Sequence, residues 1–298
     1  MSKVLSDFGL FFKYKTYQNH TMTEVTITAA EVNKLRTMTG AGMMDCKKAL
    51  TESGGDFEKA IDYLRKKGQK VAANRGDRDA KEGQVIAAVS ADKTRGAIIC
   101  LNCETDFVAI NADFASFAKA ILDKAVANAP VSSDALLAMD IEGVKISDKI
   151  LDYVGKIGEK IELSRYEQLS AAHVVAYIHP GNKLSTIVGF NKANISEQVA
   201  KDVAMQVAAM APVAVDKGDV DNAMLEREKE IAREQARAEG KPEAMLDKIA
   251  EGKVQKFYKE STLLNQEFIK DNKLTVGQYL KNQDKDLTVT GFYRITLA

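Results

Sequence analysis

Three cysteines in 298 residues, Cys46, Cys100 and Cys103, are too few and oddly numbered for a disulfide framework, which favours free thiols in a reducing compartment. Cys100 and Cys103 make a lone C-x-x-C. In the strand expected there, residues three apart point to opposite faces, so the two neither pair nor chelate readily. Histidine is equally scarce: His20 lies near the start, and His173 and His179 stand ~20 Å apart along a strand at roughly 3.3 Å per residue. No metal site is expected. Charge of one sign is not in excess either. Lys plus Arg equals Asp plus Glu at 42 each, so no global field draws the chain to nucleic acid or an anionic membrane. No apolar run approaches the roughly 20 residues that span a bilayer. A Walker A loop is missing: Gly155-Lys156, Gly240-Lys241 and Gly252-Lys253 lack the upstream glycine and the following Ser or Thr. Gly40-Ala-Gly42 hints at a dinucleotide fingerprint, but Asp45 occupies the third position and a helix precedes it. No cofactor is expected. No Ser/His/Asp signature appears, so the chain is expected to work by binding and not as an enzyme.

What is present is ample core material, with 45% hydrophobic residues over a length that suits two or three modest domains. The first residues, Met1 to Thr21, lack a basic lead and a small-residue cleavage site, and are expected to be neither signal nor anchor. Residues 1–27 are taken as a tail, either disordered or partly upstream of a true start at Met22. Residues 28–68 predict three short helices. Thr28 and Glu31 make a capping box, and Val32, Leu35 and Met38 form the buried stripe of the first helix. Gly40 and Gly42 turn the chain into a second helix with Met43, Cys46, Ala49 and Leu50 at helical spacing. Asp56 caps a third that buries Ala60, Ile61 and Leu64. A bundle this small resembles a ubiquitin-associated module and would be marginal alone. Residues 69–82 suit a linker. The run from Arg65 to Lys81 holds seven cations against Asp77 and Asp79, a solvated stretch or a phosphate-contacting patch.

From Gly83 the period alternates, with Val85, Ala87 and Val89, then a turn, then Ile99 and Leu101. A helix follows, its apolar face formed by Phe114, Phe117, Ala118, Ile121, Leu122 and Ala125. The plan recurs as a hairpin through Pro180-Gly181-Asn182 and a helix from about Ser196. At an offset of 82 residues Ala118, Lys119, Ala129, Pro130 and Val131 match Ala200, Lys201, Ala211, Pro212 and Val213, the mark of an internal duplication. The expected class is therefore α+β: the helical module, a duplicated core with antiparallel sheets divided as 83–160 and 161–298, and a helical hairpin inserted at 221–260. Gly240-Lys-Pro242 turns that hairpin, and Leu225, Ala232, Met245, Leu246, Ile249 and Phe257 give it a thin seam. Val289 to Leu297 forms a last strand.

Two blocks carry the strongest signal: Thr39-Gly-Ala-Gly-Met-Met-Asp-Cys-Lys-Lys-Ala-Leu50 and Asn102-Cys-Glu-Thr-Asp-Phe-Val-Ala109. With Lys156-Ile-Gly-Glu159 and Tyr177-Ile-His-Pro-Gly181, and from Thr23 to Leu297 in order of parts, the chain resembles the bacterial elongation factor Ts family. The resemblance implies a cytoplasmic, non-enzymic guanine nucleotide exchange factor. Its partner would be elongation factor Tu, GDP-bound and nucleotide-free, with no membrane and no direct nucleic-acid contact; self-association is left open. It implies that Asp106 and Phe107, within Thr105 to Val108, insert beside the partner's magnesium and phosphate site. His179 would contact the same nucleotide domain, Arg36, Met43 and Met44 would be contacts of the helical module, and the hairpin would touch the partner's far side. Longer members carry a further helix after the last strand, whose contact is expected to be missing here.

Each residue has a plainer reading. In an unbroken helix from Thr105, Phe107 would share a face with Phe114 and be core; Asn111-Ala-Asp113 reads instead as a break or new cap. Asp106 is also an ordinary helix cap, His179 a turn residue, and Arg36, Met43 and Met44 solvated or buried bundle residues. The competing functions are an RNA- or ribosome-binding adaptor using the basic stretch and a redox or metal protein using Cys100 and Cys103. Balanced charge and the lack of an aromatic-rich platform oppose the adaptor.

Overall fold

A computed structural model describes residues 26–297, so the expectations for Met1 to Val25, including the start at Met22 and His20, lie outside the described residues. The chain divides into two compact units, one ending at Ile61 and one beginning at Asp62.

In the first unit α1 (Ala29–Thr39) starts on the expected capping box, in which Thr28 N–H donates to Glu31 at 2.8 Å, and ends on Gly40 in the left-handed region. Helix α2 (Met43–Glu52) buries Cys46, Ala49 and Leu50. Asp56 accepts from Lys59 N–H at the start of α3 (Phe57–Asn74), whose Ala60 is fully buried. Met38, expected in the buried stripe with Val32 and Leu35, is instead 57% exposed. It lies one position from the end of α1.

Helix α3 runs to Asn74, so the first part of the stretch expected to be linker is helical. Its polarity hides the reason. Val71 and Ala72 pack on the core of the second unit, and Gly68 lies against the backbone of α7 (Ile146–Ile157), where any side chain would collide.

The second unit is built on two three-stranded antiparallel sheets. The first has the order β1 (Glu82–Val89), β2 (Arg95–Cys103), β5 (Ile161–Ser170); the second has β6 (His173–Ile178), β7 (Leu184–Phe190), β10 (Val289–Thr296). Each sheet is a hairpin whose second strand also pairs with a later strand, so the repeat extends to a third strand that alternation alone did not mark. Strand β5, which follows the boundary expected at 160/161, pairs with β2 along its length and so completes the first sheet. Helices α4 (Asp106–Ala109) and α5 (Ala112–Asn128) follow β2. After α6 (Ser133–Leu137) and the small ribbon β3 (Asp140–Ile141) and β4 (Val144–Lys145), α7 closes one core around Phe114, Ile121, Leu136 and Ile146. All six residues named for the apolar face of α5 are buried. Helix α8 (Glu197–Met210) takes the place of α5 in the second half. Both helices end on an alanine in the left-handed region, Ala129 at φ 46° and Ala211 at φ 44°, each followed by proline. A third core lies between the sheets, from Val85, Ala87, Ile98 and Cys100 to Val174, Ile187 and Ile295.

Helices α9 (Asn222–Ala238) and α10 (Glu243–Ser261) form the hairpin, joined by Gly240 at φ 73°. Its seam is made mostly of small residues, Ala232, Ala236, Leu246, Ala250 and Val254, and Met245 is exposed where it had been expected inside. Arg233 with Asp247 and Arg237 with Glu243 clasp the two helices from outside. The chain then passes through β8 (Glu267–Phe268), β9 (Asp271–Thr275) and α11 (Val276–Gln283) to β10. Among the described residues no helix is long and apolar enough to cross a membrane.

Candidate functional site: an exposed helical turn at the end of a sheet

Strand β2 is buried along nearly its whole length and ends at Cys103, after which the chain must leave the core. Cys103 and Cys100 face different cores on the two sides of the sheet, which keeps these two free thiols apart as strand geometry requires. Burial pushes the Cys103 thiol up to about 12, with the nearby Glu159 carboxylate adding to it, so a thiolate is strongly disfavoured there.

Beyond Cys103 two carboxylates fix the path. Glu159 accepts from the backbone N–H of Glu104 at 3.2 Å and of Thr105 at 3.1 Å, and from the Thr105 hydroxyl at 2.8 Å. Glu104 accepts both oxygens' worth of hydrogen bonds from Arg75, at 2.8 and 2.7 Å, and one from Lys160 N–H at 2.7 Å. Burial opposes ionisation of Glu104, but the Lys160 N–H and the Arg75 guanidinium outweigh it and hold the carboxyl below its usual range. On this base stands α4, four residues long, its N-terminus capped by Thr105 Oγ1 accepting from Val108 N–H. Asn111 then accepts from Asp113 and Phe114 N–H and starts α5 afresh.

The break separates the two phenylalanines. Phe114 is fully buried and Phe107 is 79% exposed, with Asp106 beside it in solvent. Thr105 and Val108 face inward: the first spends its hydroxyl on the cap and on Glu159, and the second packs on the core. Sequence reasoning overlooked Ile110, which at 78% exposed adds a second apolar side chain to the turn. It also overlooked Glu159 as the anchor, although the block containing it had been singled out; a glutamate that ends a helix–glycine turn gives no sign of which loop it holds.

His179 occupies the turn between β6 and β7, exposed, with Nδ1 3.0 Å from the Tyr177 hydroxyl. Its N–H donates to Leu184 C=O and its C=O accepts from Asn182 N–H, closing the turn. Next to it Lys183 pairs with Glu82 at 2.8 Å. That hydrogen bond holds the Lys183 ammonium above its usual range, and the His179 turn and the α4 turn share one end of the second unit, both hydrogen-bonded to the Gln84 side chain.

Arg36, Met43 and Met44 belong to the first unit and form a surface of their own. Met44 is 75% exposed, Met43 and Met38 are more than half exposed, and Arg36 lies in solvent on α1. Single exposed apolar residues are ordinary, and these three unbranched methionines flank the turn between α1 and α2. Of the seven cations in the basic stretch, at least three have carboxylate partners within the chain. Arg65 pairs with Asp152, Arg75 with Glu104 and Lys81 with Asp79. Among the described residues no group of three His, Cys, Asp or Glu gathers to hold a metal ion.

The family model described as elongation factor TS matches residues 104–298, beginning just before α4. The chain is 55% identical over 276 residues to the elongation factor Ts of Cytophaga hutchinsonii, covering 92% of this chain and 99% of that one. It is 54% identical over 275 residues to that of Porphyromonas gingivalis, with the same shares covered. To that of Chlorobium phaeobacteroides it is 45% identical over 284 residues, covering 91% and 99%. A match of this length, running through the anchored turn, the duplicated sheets and the helical hairpin alike, means that the chain belongs to the elongation factor Ts family.

Proposed function

We propose that this protein, a translation elongation factor by family, is a non-enzymic exchange factor that binds elongation factor Tu and speeds release of its GDP. Asp106 and Phe107 act on the partner's magnesium and phosphate site, and His179 contacts the same nucleotide domain. Arg36, Met43 and Met44 make a second contact from the helical module. The cytoplasm is the proposed place of action, in keeping with three free thiols.

The observation that carries this reading is an aromatic ring 79% exposed on a turn whose backbone is tied down on both sides. An exchange factor must bind the nucleotide-free partner more tightly than the nucleotide-bound one, because only differential affinity shifts an equilibrium. A wedge that is already in place before binding loses little freedom on insertion, so more of its contact energy is left to displace the nucleotide. A ring that fills a partner pocket is worth ~2 kcal/mol or more, and every ~1.4 kcal/mol of differential binding lowers nucleotide affinity tenfold. A carboxylate brought beside a magnesium ion competes for its coordination and weakens the hold on the phosphates.

The test is release of a fluorescent GDP analogue from elongation factor Tu with the wild-type chain and with Phe107→Ala. Acceleration by the wild type that the variant reduces tenfold or more, on the scale of a hot-spot side chain, supports both function and wedge. Equal acceleration by both proteins removes the wedge, and no acceleration by either removes the function.

A further inference from the structure

Between the two exposed turns stands one buried side chain that neither block contains. Gln84, on β1, is only 8% exposed. Its Nε2 donates to Ala109 C=O at 2.7 Å, the carbonyl at the last residue of α4, two positions after Phe107. Its Oε1 accepts from Asn182 Nδ2 at 3.3 Å. Asn182 sits in the left-handed region at φ 55° and closes the turn that carries His179. The next residue of β1 grips the same asparagine by its backbone, Val85 N–H donating to Asn182 C=O at 2.7 Å. The amide has one orientation that works here, since the carbonyl of Ala109 needs a donor and the amide of Asn182 needs an acceptor.

We infer that Gln84 is a positioning residue that holds the Phe107 turn and the His179 turn at a fixed separation, so that the two engage the partner as one unit. The inference rests on the exchange reading above. Phe107 follows a strand of the first half of the duplicated core and His179 follows a strand of the second, and the two halves are separate sheets. Val85 N–H and the Lys183–Glu82 pair already tie the His179 turn to β1, and Gln84 carries that tie on to the end of α4, so its loss weakens the link by which the binding of one turn places the other. Gln84 joins the halves at the point where their two candidate contacts emerge. The carbonyl it satisfies belongs to a helix end, where acceptors lack intrahelical partners and are free to be used this way.

The test is a double-mutant cycle on nucleotide release from elongation factor Tu loaded with a fluorescent GDP analogue. Phe107→Ala, His179→Ala and the pair are compared in the wild-type background, in Gln84→Met and in Asn182→Gly. Methionine keeps the length of glutamine and removes both hydrogen bonds; glycine keeps the positive φ of the turn and removes only the amide that meets Gln84. In the wild-type background the two alanine changes are non-additive. In Gln84→Met release slows by about 3- to 10-fold, the scale of one or two lost hydrogen bonds, and the two changes become additive. Asn182→Gly shows the same loss of coupling and decides the matter if Gln84→Met does not fold. Unchanged coupling in these backgrounds, with an active wild type, overturns the inference and leaves the exchange reading standing. An inactive wild type overturns the exchange reading itself, and this inference with it.

Discussion

Glu159 holds Thr105 at two points, through the backbone N–H at 3.1 Å and the hydroxyl at 2.8 Å, across 54 residues of sequence. The carboxylate therefore supports the exposed turn from beneath without being part of its surface. Hydrogen bonds to a charged group are worth ~1.5–3 kcal/mol, and removal of this acceptor strands donors in a half-buried place. Glu159→Ala is expected to lower stability by about 2 kcal/mol in urea unfolding and to slow nucleotide release roughly tenfold with Phe107 intact. Loss of stability with full exchange activity would separate the anchor from the function.

Phe107 and Phe114 make opposite predictions although both are phenylalanines seven positions apart. Phe107→Ala is expected to leave stability within about 0.5 kcal/mol, as for an exposed site. Phe114→Ala, at a fully buried position, costs about 3–5 kcal/mol. Chemical denaturation of the two variants checks both values, and a large loss from Phe107→Ala would mean that its ring is packed.

The crossing of α3 with α7 depends on two glycines. A Cβ at Gly68 would stand 2.4 Å from the carbonyl oxygen of Leu151, and one at Gly155 would stand 3.2 Å from the Cα of Gly68. Backbone cannot rotate aside as a side chain does. Gly68→Ala is expected to cost ~2–3 kcal/mol and Gly155→Ala less, about 1 kcal/mol, both read by thermal unfolding. A neutral Gly68→Ala would show that the helices part easily.

Much of this was legible in the chain beforehand, and the exceptions have physical causes. The capping box of Thr28 and Glu31, the apolar face of α5 and the fresh cap at Asn111 are local signals, and local signals survive folding. Strand β5 was not marked because it is the edge of its sheet: its outward residues are polar and a bulge opposite Cys100 and Leu101 breaks the alternation. The C-terminal half of α3 looked like linker because its packing relies on glycine, valine and alanine rather than on large apolar residues. Gln84 and Glu159 could not be assigned roles from sequence, since each acts through partners 25 to 98 and 54 to 55 positions away.

The alkaline limb of the stability curve follows from groups buried in their neutral forms. Burial raises Cys103 from 9.0 to about 12 and Tyr166 from 10.0 to about 12. Above pH 9 the unfolded chain gives up protons that the folded chain keeps, so stability is full below that point and declines as pH rises toward 12. Urea midpoints measured from pH 8 to 11 should fall only above about 9, and Cys103→Ser should blunt the first part of the fall. A flat profile would mean that the thiol ionises in place.

The two sheets of the second unit each leave one face bare except for the other, and Val85, Ile98 and Cys100 of the first meet Val174, Ile187 and Ile295 of the second. The corner at Ala171 and Ala172 is the short stretch of chain that joins them there. Such a link acts as a tether: it supplies a high effective concentration of one half for the other, while the complementary faces supply the affinity. The molecule's core is in this respect an intramolecular complex, and the Phe107 and His179 turns stand together because its two halves pack face to face.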